Sequence, residues 1–153
     1  MEEMLFRKNI SRIIQNDKEG LRQIYEDYCP MIYSVVWEIL HNREDAEDVT
    51  SEFFIRLWEI ADTYHPGKGH RGWMLTIAHH MAIDCLRKKK REILTEDIEE
   101  PPYFGQASSE EQLCHKISLE QAMSGLNKED RQIVNLKIMG ELTFREIAAI
   151  LKK

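Results

Sequence analysis

The sequence predicts an all-α protein: a helical module, an acidic tether, and a smaller helical module. Three observations lead there. Apolar residues recur at spacings of three and four over most of the chain, and residues suited to helix capping stand before those runs. A stretch past the middle is acidic and has no sustained apolar period. The length of 153 residues, with 42% apolar and 31% charged residues, excludes collagen-like, low-complexity and wholly disordered chains.

The opening MEEMLFRKNI starts with two glutamates and has no apolar core or small-residue cleavage site, so no signal peptide is expected. From Leu21, residues Ile24, Tyr25, Tyr28, Met31, Ile32, Val35, Val36, Ile39 and Leu40 describe an amphipathic helix with a broad apolar face. Pro30 falls inside it and is expected to kink or divide it. Asn42 then offers an N-cap, and Asp45, Glu47 and Asp48 favour the positive end of the next helix. That helix carries Ala46, Val49, Phe53, Leu57 and Ile60 on one stripe. Phe54 and Trp58, four apart, form a second apolar face. Either the helix is buried all round, or it shows an aromatic patch rimmed by Glu47, Ser51 and Glu52.

Tyr64 to His70 reads as a loop, because it holds Pro66, Gly67 and Gly69. A third helix starts near His70 or Arg71 and passes through Trp73, Ile77 and Met81. It ends in Arg87 to Arg91, whose charges complement the helix dipole. Residues 92–112 read as tether, with Pro101, Pro102, Gly105 and a run of acids. Leu113, Ile117, Ala122 and Met123 suggest a short helix. Asn127 caps another that carries Ile133, Val134, Leu136 and Ile138 and stops by Gly140. Thr143 and Glu146 make a second capping box, opening a run from Phe144 to Leu151 that looks like the front half of a helix-turn-helix.

A net charge of −6 argues mildly against a nucleic-acid partner, yet the charge is segregated. Glu38 to Asp62 holds eight acids against Arg43 and Arg56, whereas Tyr64 to Arg91 holds seven bases against Asp84. Seven more acids and no base follow from Glu92 to Glu111. Such blocks imply an acidic face for one partner and a basic face for another. Cys29, Cys85 and Cys114 are scattered, which suits a reducing compartment. The apolar runs fall far short of the ~18 residues of a membrane span. A cytoplasmic protein with no membrane insertion is expected.

The bases from Arg87 to Arg91 suit DNA phosphates, although a solvated helix end is the plainer alternative. Tyr64, His65 and Trp73 flank Lys68 and Arg71, and ring faces beside cations suit unstacked bases; Trp73 equally suits a core. His70, His79, His80, Asp84 and Cys85 invite a metal, but they form no HExxH and offer no third ligand at fixed spacing. There is no GxSxG, P-loop or GxGxxG either. No metal, no other cofactor and no enzymatic activity are expected.

Three stretches together resemble a bacterial RNA polymerase sigma factor of the sigma-70 family, of the small extracytoplasmic-function (ECF) type. Asp45-Ala-Glu-Asp-Val-Thr-Ser-Glu-Phe-Phe-Ile-Arg-Leu-Trp58 is similar to the family's AED-x-x-Q-E-x-F-x-x-x-W helix. Gly72-Trp-Met-Leu-Thr-Ile-Ala-His-His-Met-Ala-Ile-Asp-Cys-Leu-Arg87 is similar to its W-L-x-x-I-A-x-N-x-x-x-D-x-x-R helix. Leu126 to Arg131 and Thr143 to Leu151 are similar to the start of region four. The resemblance divides the chain into a region-two domain at 1–91, a linker at 92–112 and a partial region four at 113–153. It implies core RNA polymerase and promoter DNA as partners in transcription initiation, with an anti-sigma factor as a further candidate.

The resemblance also implies roles for individual residues. Asp45, Glu47, Asp48, Ser51, Glu52, Phe54, Ile55 and Trp58 would dock on core polymerase. Tyr64, His65, Lys68, Arg71, Trp73, His80, Asp84, Arg87, Lys88, Lys89 and Arg91 would open and hold the minus-ten element. Thr143, Phe144, Arg145, Lys152 and Lys153 would belong to a partial helix-turn-helix. Ser51 stands where the family carries Gln, weakening one core contact, and His80 stands where it carries Asn, which bears on promoter preference. The turn and recognition helix that would read the minus-thirty-five groove do not follow Leu151 in this sequence. A 113–153 module lies near the ~40-residue limit for lone domains, so it is expected to fray or to be steadied by packing on the first module or a neighbouring chain. A helical protein-binding adaptor or anti-sigma-like regulator is the alternative function. A metal-dependent helical hydrolase is disfavoured by the ligand spacing.

Overall fold

The computed structural model describes residues 1–67, 69–93 and 126–151. Among these residues the chain forms α1 (Glu3–Ile14), α2 (Lys18–Leu40), α3 (Arg43–Ile60), a 3-10 turn (Ala61–Thr63), α4 (His70–Ile93), α5 (Lys128–Ile138) and α6 (Phe144–Leu151), and no strand. The expected all-α class is what these residues adopt. Residues 94–125, which hold most of the expected tether and the expected helix over Leu113 to Met123, lie outside the described residues.

Local chemistry sets most of the helix starts. The Asn42 side chain accepts from the amide of Asp45 at 3.0 Å and opens α3; Asn127 accepts from Asp130 at 2.8 Å and opens α5. Before α6 the capping box closes in both directions. Glu146 donates its amide to the Thr143 hydroxyl at 3.2 Å, and the Thr143 amide donates to the Glu146 carboxylate at 3.2 Å.

α1 lies before the first periodic run that the sequence displays. Phe6, Asn9, Ile10 and Ile13 form its buried stripe. It approaches α2 so closely at Gly20 that a Cβ there would stand 2.5 Å from the Asn9 carbonyl oxygen and 2.8 Å from the Arg12 Cβ. Only glycine fits that crossing.

α2 is the central element, packing against α1, α3, α4 and α5. Ile24, Tyr28, Met31, Ile32, Val35, Val36 and Ile39 are all buried along it. Of the kink or division expected at Pro30, division does not occur: α2 is helical from Lys18 to Leu40. Pro30 and Glu26 are both exposed, so the bond that Pro30 cannot donate to the Glu26 carbonyl is lost on the solvent side of α2. Packing of the turns on either side outweighs the one missing bond.

α5 and α6 fold back onto α2 and α4. Leu136, Leu142, Ile147 and Ile150 are each no more than 4% exposed and join the same core as Leu75 and Ile39. Of the two outcomes expected for this segment, residues 126–151 adopt the packed one.

Candidate functional site

Two surfaces emerge from α3 and α4. On α3, the cap at Asn42 aims Glu47, Asp48, Ser51, Glu52 and Ile55 into solvent, with Ile55 63% exposed. Glu47 is paired with Arg43 at 3.0 Å. Phe54 is buried, its ring edge-on to Phe53 at 5.0 Å and to Tyr25 of α2 at 4.9 Å. Trp58 is half-buried. Phe54 and Trp58, with Lys18, Leu21, Arg22 and Tyr25 of α2, line an open, almost wholly apolar groove of about 430 Å³. The second apolar face of α3 is therefore neither fully covered nor a flat patch; it is one wall of this groove.

On α4, His80, Asp84, Arg87 and Arg91 are spaced by four, three and four, which stacks them on one helix face. All four are exposed, as are Lys88 and Lys90. Lys89 differs. It forms an ion pair with the half-buried Asp45 and thereby ties α4 to α3. Two residues expected to meet different partners thus meet each other. Their separation of 44 positions gave no sequence signal.

The loop before α4 turns on Gly67 (φ 111°) and Gly69 (φ 77°), left-handed conformations that favour glycine. His65 is exposed beside it, and Lys68 lies outside the described residues. Tyr64, expected to offer a ring face to a base, is turned inward and 8% exposed. Its ring meets Phe6 edge-on at 5.1 Å, and its hydroxyl donates to Glu3. Trp73 is half-buried against Tyr64, ring centres 4.9 Å apart. The physical reason is α1, which supplies both Phe6 and Glu3 as partners for the loop aromatics.

His70 is part of the same assembly. Its ring stacks on Phe6 at 4.4 Å, with Nδ1 2.6 Å from Glu3 and Nε2 2.5 Å from the Tyr28 hydroxyl. Burial pushes its pKa down, partly offset by the Glu3 carboxylate, so the neutral ring is favoured. In that form Nδ1–H donates to Glu3, and the single Tyr28 hydroxyl proton is shared between Nε2 and the Met1 carbonyl oxygen at 3.1 Å. Burial raises Glu3, but hydrogen bonds from Tyr64 and His70 outweigh it and hold the carboxyl below its ordinary range. His79 is also buried, and desolvation followed by the neighbouring His80 lowers its pKa. Among the described residues, no three His, Cys, Asp or Glu side chains are placed to hold a metal ion.

Arg71 at the start of α4 lies 5.6 Å over the Tyr28 ring and pairs with Glu141 from the α5–α6 turn. In the C-terminal pair, Thr143 serves the capping box, Phe144 and Arg145 are exposed, and Lys137 sits 4.7 Å over the Phe144 ring. Lys152 and Lys153 lie outside the described residues. No described helix is long and apolar enough to cross a membrane.

Comparison with known proteins finds sigma-70 region 2 over residues 24–92, which is the segment from the first third of α2 to the end of α4. The chain is 32% identical over 88 residues to the ECF RNA polymerase sigma factor SigW of Bacillus subtilis, covering 58% of this chain and 47% of that protein. It is 23% identical over 148 residues to the ECF sigma factor SigK of Mycobacterium ulcerans, covering 91% and 78%. It is 29% identical over 136 residues to the ECF sigma factor SigE of Mycolicibacterium smegmatis, covering 84% and 52%. The chain thus spans about half the length of SigW and SigE and most of SigK.

Proposed function

Because the chain belongs to the sigma-70 family, as an ECF-type member with a region 2 domain, we propose that it is a non-enzymatic sigma factor of the cytoplasm that binds core RNA polymerase and directs promoter recognition and melting. In this reading residues 1–91 act as region two, 92–112 as linker and 113–153 as region-four sequence. The acidic, Ile55-bearing face of α3 docks on core polymerase, with the Phe54–Trp58 groove at its border. The exposed α4 stripe meets the minus-ten element. Arg87, Lys88 and Arg91 neutralise phosphates, and His80, whose imidazole both donates and accepts, reads a base. His65, Lys68 and Arg71 extend that surface along the preceding loop.

The supporting observation is the solvent-facing basic stripe of α4, set beside an outward acidic face on α3. One small fold thereby offers opposite charges to two partners. The test is reconstitution: purified chain plus core polymerase transcribing sheared genomic DNA, with 5′ ends sequenced. Discrete start sites that share an upstream element and need the added chain are the expected result. Transcription indistinguishable from core alone would overturn the reading.

A further inference from the structure

We infer that Glu3 is a positioning residue for promoter reading: it pins both ends of the loop before α4, and base preference depends on that pin. The inference deepens the sigma-factor reading, because it rests on this loop meeting the minus-ten element.

Two residues that bracket the loop share one carboxylate. The Tyr64 hydroxyl donates to Oε1 of Glu3, and Nδ1 of His70 lies 2.6 Å from Oε2. Arg7, one turn along α1, stands 3.4 Å from Oε1, and Phe6 packs on both the Tyr64 and His70 rings. The docking of α1 has other means. Its buried stripe of Phe6, Asn9, Ile10 and Ile13 and its close crossing at Gly20 hold it on α2. The two partners that Glu3 takes from outside α1 are the two ends of the loop.

The residues between those ends give the pin its use. His65, Pro66, Gly67 and Gly69 are exposed. Gly67 and Gly69 hold left-handed backbone, and a Cβ on Gly67 would meet nothing within 4 Å. Gly67 therefore serves the path of the chain and leaves open space beside it. Its peptide groups and the His65 ring are the parts of the loop that a splayed base can meet. Glycine loses more backbone freedom on ordering than any other residue. Left loose at its ends, this loop would have to order as each base arrived, and could adapt to several. Pinning both ends removes part of that cost and narrows the bases that fit.

The test uses holoenzyme reconstituted from the full chain and core polymerase. It selects from duplexes with a premelted bubble whose non-template strand is randomised, and the bound DNA is sequenced. Glu3→Ala is expected to lower the best-to-worst base enrichment at one or more positions about tenfold, with core retention and the salt dependence of binding unchanged. Glu3→Gln is expected to keep the preference, because Tyr64 and His70 can each donate or accept and so suit an amide of the same length. Ile13→Val trims the same helix about 15 Å from Glu3 and should also keep it. In the unbound chain, amide exchange at His65 and Gly69 should quicken in Glu3→Ala alone. Preference intact in Glu3→Ala, preference lost equally in Glu3→Gln or Ile13→Val, unchanged loop exchange, or a general loss of core retention would each overturn the pin. An unmodified holoenzyme that selects no sequence and no start site would overturn the sigma-factor reading with it, whereas selection indifferent to Glu3 overturns the pin alone.

Discussion

Phe6→Ala is the substitution that best tests how the first helix is held. Phe6 is fully buried, its ring centre 4.4 Å from His70, 5.1 Å from Tyr64 and 6.4 Å from both Tyr28 and Trp73. These neighbours cannot close the void easily, because Tyr64 and His70 are both tied to Glu3, and Tyr28 to His70. Phe→Ala in a core costs ~3–5 kcal/mol, and poor collapse places this site at about 4. For a chain of this length that corresponds to a fall in Tm of roughly 8–16 °C. Urea unfolding followed by far-ultraviolet circular dichroism measures it, with an unchanged slope confirming a loss of stability rather than of compactness. Met4→Ala on the same helix, at a residue 81% exposed, should change stability by less than about 0.5 kcal/mol. A Phe6→Ala cost below about 1 kcal/mol would refute the reasoning, because α1 would then not be packed on the bundle in solution.

Acid should destabilise the fold in two windows. His70 and His79 have folded pKa values below 6.5, so their contribution is complete above that pH and is lost as pH falls from there; Glu3 adds a further loss below 4.5. Urea midpoints taken from about pH 8 downward should decline below pH 6.5, and His70→Gln should flatten part of that decline. Arg131→Met should cost about 3 kcal/mol by leaving the buried Glu38 without its 2.9 Å partner, whereas adding Glu38→Gln should restore part of the loss. A double-mutant cycle checks it. Replacing Arg87, Lys88 and Arg91 by alanine should flatten the salt dependence of holoenzyme binding to promoter duplex by about 2–3 in slope, at ~0.9 per phosphate. Lys89→Ala should leave that slope nearly unchanged and cost about 1 kcal/mol or less in stability, since its partner is Asp45. Ile55→Glu should abolish retention on immobilised core polymerase while circular dichroism stays unchanged. Full retention would remove α3 from the docking surface.

Features that depend on a few neighbouring residues were legible in the chain alone. The caps at Asn42, Asn127 and Thr143–Glu146 each join residues three apart, and the start of α4 at His70 follows from a loop punctuated by glycine. The apolar spacing of α2 and α3 and the motifs on α3 and α4 likewise placed the fold class and the family. α1 was within reach of the same reasoning, since Phe6, Ile10 and Ile13 follow helical spacing; Met4, Leu5 and Ile14, apolar but exposed, blur that stripe. Contacts between distant positions were not legible. Tyr64 meets Glu3 across 61 positions, His70 meets Tyr28 across 42, and Ser34 meets Asn135 across 101. Such pairings turned the Tyr64 ring inward, joined Lys89 to Asp45, and placed Glu141 of the α5–α6 turn on Arg71. A helical sequence states which side of each helix is apolar. Which neighbour covers that side is decided by how the helices pack, because burial is non-directional and any apolar face of suitable shape can serve. The same cause kept α2 whole through Pro30: contacts with four other helices hold it, and a propensity acting on one residue does not overcome them.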